Sequence, residues 1–223
     1  MSSNQDTWSA VDRYLSDALL PHDEALEAAL ASSVAAGLPQ IHVAPNQGKL
    51  LQLLARAVGA RRILEIGTLA GYSTIWMARA LPPGGRLVTL EFDAKHAEVA
   101  RGNIAHAGLA DAVELRLGRA LETLPRLAAE GAEPFDFMFI DADKPSIPDY
   151  VAWALKLSRP GSMIVIDNVV REGAVIDAAS ADAAVQGVRR MNELLAREPR
   201  LSATAIQTVG SKGYDGLAIA IVN

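Results

Sequence analysis

The sequence predicts an α/β protein with a mostly parallel sheet and helices on both faces, and three observations predict it. Short apolar runs recur along the chain: RRILEIG (61–67), RLVTLE (86–91), AVELRLG (112–118), FDFMFID (135–141) and MIVID (163–167). Helical stretches of about 10–15 residues separate them. Each run ends in glycine or a carboxylate. Strands alternating with helices of that length build right-handed βαβ units and hence a parallel sheet.

The elements follow in order. Residues 5–36, rich in Ala and Leu, read as helical, with Pro21-His22-Asp23-Glu24 ending one helix and starting the next. Gly37-Leu38-Pro39 closes that region, and a third helix begins at about Pro45. The first strand, RRILEIG, feeds a helix over GYSTIWMARAL (71–81), and PPGG turns the chain into RLVTLE. AKHAEVARGNIAHAG (94–108) is a helix closed by glycine. AVELRLG, a helix, FDFMFID, a helix to Leu157 and MIVID continue the alternation, and a longer helix runs from after Asp182 to about Arg197. LSATAIQTV and DGLAIAIV, joined by GSKGY, read as a hairpin that adds an antiparallel pair to the sheet edge. At 223 residues, half of them hydrophobic, the chain suits one large domain over 1–223, with cap helices in 1–58 and the core in 61–223.

Composition excludes several classes. A net charge of -5 and a pI near 5.4 give no nucleic-acid footprint. With no cysteine, disulfides, thiolate catalysis and cysteine zinc sites are excluded, which fits a cytoplasmic setting. The segment MSSNQDTWSAVDRY lacks the basic and apolar regions of a secretory signal. No apolar run approaches the roughly 20 residues that span a bilayer, so no membrane association is expected.

In an open α/β sheet, ligands bind beyond the carboxyl ends of the strands. Those ends carry Glu65-Ile66-Gly67, Glu91, Gly118, Asp141 and Asp167-Asn168. LEIGTLAGYS (64–73) is a glycine-rich strand-to-helix turn of the form E-x-G-x-x-x-G. A pyrophosphate cradle wants G-x-G-x-x-G. A carboxylate on the first strand repels phosphate but suits a cationic ligand, and the sulfonium and amino group of S-adenosylmethionine fit that description. Glu91, which lies 20 residues after Gly71, suits a grip on ribose hydroxyls.

On the other side of the crevice, Asp141 and Asp167 end two strands and Asn168 adds a neutral oxygen. Two carboxylates and an amide make a hard oxygen site, suited to Mg²⁺ or Ca²⁺ and poor for zinc. Three protein ligands leave about three octahedral positions for substrate and water. Lys144, three residues past Asp141, is a candidate general base. The plainer alternative is a solvated salt bridge from Lys144 to Asp141 or Asp143. Asp143 itself is expected to face outward or to support a neighbour.

ILEIGTLAGYS, VTLEFD, the FIDADK segment and the VIDN segment together resemble the cation-dependent class I O-methyltransferases, the group of caffeoyl-CoA and catechol O-methyltransferases. The resemblance is strong over about residues 38–170, and the pairing of D-A-D-K with a following D-N is its specific part. It implies a Rossmann-like seven-stranded sheet of order 3-2-1-4-5-7-6. It implies that Glu65, Gly67, Thr68 and Ser73 line the methionine part of S-adenosylmethionine, that Glu91 holds the ribose and that Ala120 contacts the adenine side. Val43 would touch the cofactor from the cap. Asp141, Asp167 and Asn168 would bind Mg²⁺, or Mn²⁺ or Ca²⁺, with Asp141 also beside the cofactor, and Lys144 would take the proton from the methylated hydroxyl. The acceptor would be a catechol-like aromatic diol, and the assembly a homodimer with the N-terminal helices near the interface. Relatives often carry Asn-Tyr shortly after the lysine; here the run is DKPSIPDY, with Ser146-Ile147 and Tyr150, which leaves the acceptor's identity open.

Three alternatives stand beside this reading. A metal-independent small-molecule methyltransferase would ignore chelators. A nicotinamide-dependent dehydrogenase would want the missing glycine pattern. A nucleoside-binding regulatory protein would want a missing ligand or lysine, and all four residues are present. His22, His42, His96 and His106 are scattered, and of these only His42 could face the pocket. Arg189-Arg190 read as a solvated helix face. Trp8, Trp76 and Trp153 read as packing, with Trp8 a candidate for an interface. GSKGYDG (210–216) reads as a hairpin loop that nothing in the sequence ties to substrate.

Overall fold

The computed structural model describes residues 4–223. Strands β1 (Arg62–Ile66), β2 (Arg86–Glu91), β3 (Val113–Leu117), β4 (Phe135–Ile140), β5 (Ser158–Asp167), β6 (Leu201–Gly210) and β7 (Gly213–Val222) form one sheet of order β3-β2-β1-β4-β5-β7-β6. The first five are mutually parallel, and β7 runs antiparallel to both β5 and β6. The winding reverses between β1 and β4, where Ile66 pairs with Ile140, and the crevice opens there.

Both faces of the central strands are covered, so FDFMFI is buried along its whole length. Alternate residues feed two cores. Ile63, Leu87, Phe137, Phe139 and Val165 pack on one face with α2 (Glu24–Ala35), α3 (Pro45–Ala57) and α4 (Tyr72–Ala78). Leu64, Leu90, Met138, Ile140 and Ile166 pack on the other with α6 (Ala120–Ala129), α7 (Ile147–Lys156) and α8 (Ala183–Arg197). α5 (Ala94–His106) contributes Ala97, Ala100 and Ile104 to the buried interior. α1 (Asn4–Leu19) buries none of its residues and turns Val11, Tyr14 and Leu19 to solvent.

Four boundaries differ from the sequence expectation. α4 stops at Ala78, three residues short of Leu81, because the chain has already turned toward Pro82. β5 starts at Ser158 rather than Met163, through a register shift that pairs Phe135 with Ser158 before Phe137 meets Met163. The helix after Asp141 opens as a 3₁₀ turn, Lys144–Ser146, and becomes α-helical only at Ile147. The GSKGY joint is mostly strand: Gly210 pairs with Gly213, so only Ser211 and Lys212 turn the corner. A further 3₁₀ segment over Arg171–Ile176, with Arg171 and Glu172 at left-handed φ of 56° and 55°, had no sequence signal.

Candidate active site

The β1–α4 turn is built around two buried carboxylates. Gly67 has a φ of 99°, and a Cβ there would stand 2.1 Å from the Asp141 carbonyl oxygen, so only glycine fits. Glu91 accepts backbone N–H bonds from Thr68 at 3.2 Å and Leu69 at 2.8 Å through one oxygen. Its other oxygen accepts from Phe92 and Asp93, both at 3.0 Å. It therefore ties the glycine-rich turn to the end of β2. Glu65 is fully buried and accepts from the hydroxyls of Ser73, Thr74 and Thr89. Burial outweighs those bonds and pushes its carboxyl up to about 7. Thr68 completes the cluster through a hydroxyl contact with Thr89.

The predicted residues Glu65, Gly67, Thr68, Ser73 and Glu91 are thus brought together at one turn. Ala120 opens α6 just beyond Gly118, whose N–H bonds the Glu91 carbonyl at 2.7 Å. Val43 lies in the segment entering α3, with its side chain buried in the core that holds Tyr72 and Trp76.

At the neighbouring strand ends, the Asp141 N–H bonds the Ile66 carbonyl at 2.9 Å, which locks β4 to β1 where the crevice opens. Lys144 Nζ donates to Asp141 Oδ1 at 2.9 Å, and only 11% of its side chain is exposed. Asp167 is buried at the end of β5; Asn168 N–H donates to its Oδ1 at 2.8 Å and Gln47 Nε2 to its Oδ2 at 2.7 Å. Burial first, and the Asp141 charge second, push the Asp167 carboxyl well above the usual range, against the pull of Lys144, Asn168 and Gln47. Asn168 takes a left-handed φ of 57°, a conformation that asparagine tolerates better than most residues. Asp143 accepts from the Tyr150 hydroxyl, so it supports α7.

Among the described residues no three His, Cys, Asp or Glu side chains form a metal-ligating group. The donor set is the mixed one of the Asp141 and Asp167 carboxylates with the Asn168 amide. That set suits a hard divalent cation in kind: it is all oxygen, and the buried Asp167 carboxylate feels the Asp141 charge with only Lys144 as a nearby cation. Sequence reasoning missed Gln47. It carries no motif, and only the packing of α3 brings it to Asp167.

A mostly parallel sheet whose switch point carries a carboxylate-rich turn beside an acidic, lysine-bearing pocket defines a class of group-transfer enzymes acting on a nucleoside-bearing donor. Residues 19–220 match the model of a family described as O-methyltransferase. A catechol O-methyltransferase of Niastella koreensis is 57% identical over 219 residues, covering 98% of this chain and 99% of that one. One of Mycobacterium tuberculosis is 55% identical over 212 residues, covering 95% and 94%. The structure of an O-methyltransferase from Bacillus cereus in complex with SAH superposes with a TM-score of 0.97 at 61% identity, covering 98% of this chain and 100% of that one. That of a Streptomyces achromogenes enzyme involved in tomaymycin synthesis, in complex with SAM, gives 0.97 at 55% identity over 100% of both chains. The chain belongs to the O-methyltransferase family and is an S-adenosylmethionine-dependent enzyme.

Proposed function

We propose that the protein methylates one hydroxyl of a catechol-like aromatic diol, with a divalent cation held by Asp141, Asp167 and Asn168 and with Lys144 as general base. The observation that carries this reading is the convergence of Asp141, Asp167 and Lys144 beside the glycine-rich turn. S-adenosylmethionine supplies the methyl group, and a cation such as Mg²⁺, Mn²⁺ or Ca²⁺ supplies the charge that makes a hydroxyl easier to deprotonate. Asp141 aims Lys144 Nζ, which as the neutral amine takes the hydroxyl proton and becomes the ammonium that pairs with Asp141. Glu65, Gly67, Thr68 and Ser73 line the methionine part of the methyl donor and Glu91 holds its ribose, with Ala120 toward the adenine and the Val43 segment closing from the cap. Fixing donor and acceptor in this way supplies on the order of 7–11 kcal/mol.

The chain would act as a single methyltransferase domain in the cytoplasm. Among the described residues no helix is long and apolar enough to cross a membrane. α1 supports a homodimer: Val11, Tyr14, Leu15 and Leu19 form an exposed apolar stripe at helical spacing, of the kind a second copy covers.

The ion pair between Lys144 and Asp141 favours a second reading, in which the ammonium alone balances Asp141 and the enzyme is metal-independent. Methyl transfer to catechol and caffeoyl esters, with Mg²⁺ and with EDTA, separates the two. Activity removed by EDTA and restored by Mg²⁺ is expected; activity indifferent to EDTA would leave the metal-independent reading.

A further inference from the structure

The β6–β7 turn stands on the same edge of the sheet as the crevice. Leu217 pairs with Asp167, and β7 runs on from there to Gly213. At about 3.3 Å per residue the turn rises some 13–17 Å beyond the strand end. It is fixed in place: Asp12 of α1 accepts the Ser211 N–H at 2.6 Å, and Gln5 Nε2 donates to the Gly210 carbonyl at 3.0 Å. Lys212 therefore projects over the segment Gln40–Val43, which leads into α3 and Gln47.

Lys212 Nζ donates to the Gln40 carbonyl at 3.2 Å and lies 3.4 Å from His42 Nε2. With Nε2 as acceptor, the neutral ring carries its proton on Nδ1. Nδ1 is buried and has no hydrogen-bond partner. The ring also leans edge-on against Tyr72, the first residue of α4. Lys212 has an exposed stem but a partly desolvated ammonium, which burial holds below the usual lysine range. Burial, and then the Lys212 charge, hold the His42 imidazole below its own. Among the described residues no carboxylate ion-pairs with Lys212. A carbonyl and a neutral imidazole do not balance a charge. The ammonium lacks an anionic oxygen, and such an oxygen would balance it, with His42 Nε2 and the Gln40 carbonyl holding the ammonium in place.

We propose that Lys212, positioned by His42 and the Gln40 carbonyl, forms a carboxylate-binding subsite on the rim of the crevice, which takes the acid group of a carboxylated catechol. The inference rests on the catechol reading above. The methionine carboxylate of the methyl donor has the same chemistry, so the test separates the two sources.

Calorimetry on wild type, Lys212→Met and Lys212→Arg would measure binding of S-adenosylhomocysteine. It would then measure binding of caffeate and protocatechuate, each against its methyl ester, to the loaded protein with Mg²⁺. Lys212→Met is expected to weaken the acids about three- to tenfold, with the esters and S-adenosylhomocysteine within twofold, and Lys212→Arg is expected to restore the preference. Loss of S-adenosylhomocysteine affinity with an unchanged acid-to-ester ratio would keep the subsite and assign it to the cofactor's carboxylate. No change in either would overturn the proposal. A wild type that binds neither acid nor ester would sink the catechol reading, and the S-adenosylhomocysteine titration alone would then decide the subsite.

Discussion

Gly187 lies inside α8, where glycine is a poor helix former, and a Cβ there would sit 2.1 Å from the Lys144 carbonyl oxygen and 2.8 Å from Pro145 Cα. Both neighbours are backbone, so neither can swing away. Gly187→Ala must therefore push the Lys144–Ser146 turn or α8 by more than an ångström to reach ordinary van der Waals contact. Arg190, which donates to the Pro145 carbonyl at 3.3 Å, resists that slide. The stability effects partly cancel. Overpacking costs about 1–3 kcal/mol, while alanine returns up to about 1 kcal/mol of helix propensity. The catalytic effect does not cancel, since misplacing a reacting group by about 1 Å can cost on the order of a hundredfold in rate. The assay is kcat with saturating S-adenosylmethionine, read beside S-adenosylhomocysteine affinity and the melting temperature. A fall of about a hundredfold in kcat is expected, with affinity within twofold and a Tm loss of a few degrees. The control is Gly102→Ala on α5, where a Cβ would meet nothing within 4 Å; it should stabilise by about 0.5–1 kcal/mol with kcat unchanged. A Gly187→Ala enzyme with wild-type kcat would refute the idea that α8 sets the position of the lysine.

Other consequences can be tested directly. Glu65 binds its proton more tightly folded than unfolded, so its contribution to stability is full below pH 4.5 and declines as the pH rises toward about 7. The decline is on the order of 3 kcal/mol. Glu65→Gln should flatten the fall in Tm over that window, though Asp167 shifts in the same direction and keeps part of it; an unchanged slope would show that Glu65 is not the group responsible. Asp136 is buried near the start of β4, at the opposite end of the strand from Asp141, and accepts from the Arg61 and Arg62 N–H groups at 2.8 and 3.0 Å and from Arg159 at 2.6 Å. Asp136→Ala should lose about 2–3 kcal/mol in denaturant unfolding while the surviving folded enzyme keeps its kcat. Leu15→Glu on the exposed stripe of α1 should convert dimer to monomer in sedimentation, and a wild type that already sediments as a monomer would end that reading.

The strand pattern was legible because parallel strands covered on both faces need mostly apolar runs, and RILEI and FDFMFI are such runs, each with a single buried carboxylate, Glu65 and Asp136. The seven-strand order came from the motif resemblance, since periodicity alone does not rank strands within a sheet. The carboxylates at the strand ends were legible because charges that interrupt an apolar run need a reason. Two other kinds of contribution were hidden. Gln47 and Gly187 reach the site through the packing of α3 and α8, and no local pattern marks a residue whose role is set by a distant partner. The turn at Ser211-Lys212 looked like a loose joint because Gly210 and Gly213 are read as breakers, whereas both are paired within the hairpin.

The approach of Gly67 to the Asp141 carbonyl makes the two halves of the site share a wall one peptide thick. On the proposed reading, the gap between methyl donor and oxygen acceptor would then be set by main chain, which substitution of side chains hardly alters. On the same reading, diversification toward new acceptors would fall to elements farther out, such as the β6–β7 turn and the entry to α3. Substrate choice and transfer distance would then be set by different parts of the chain.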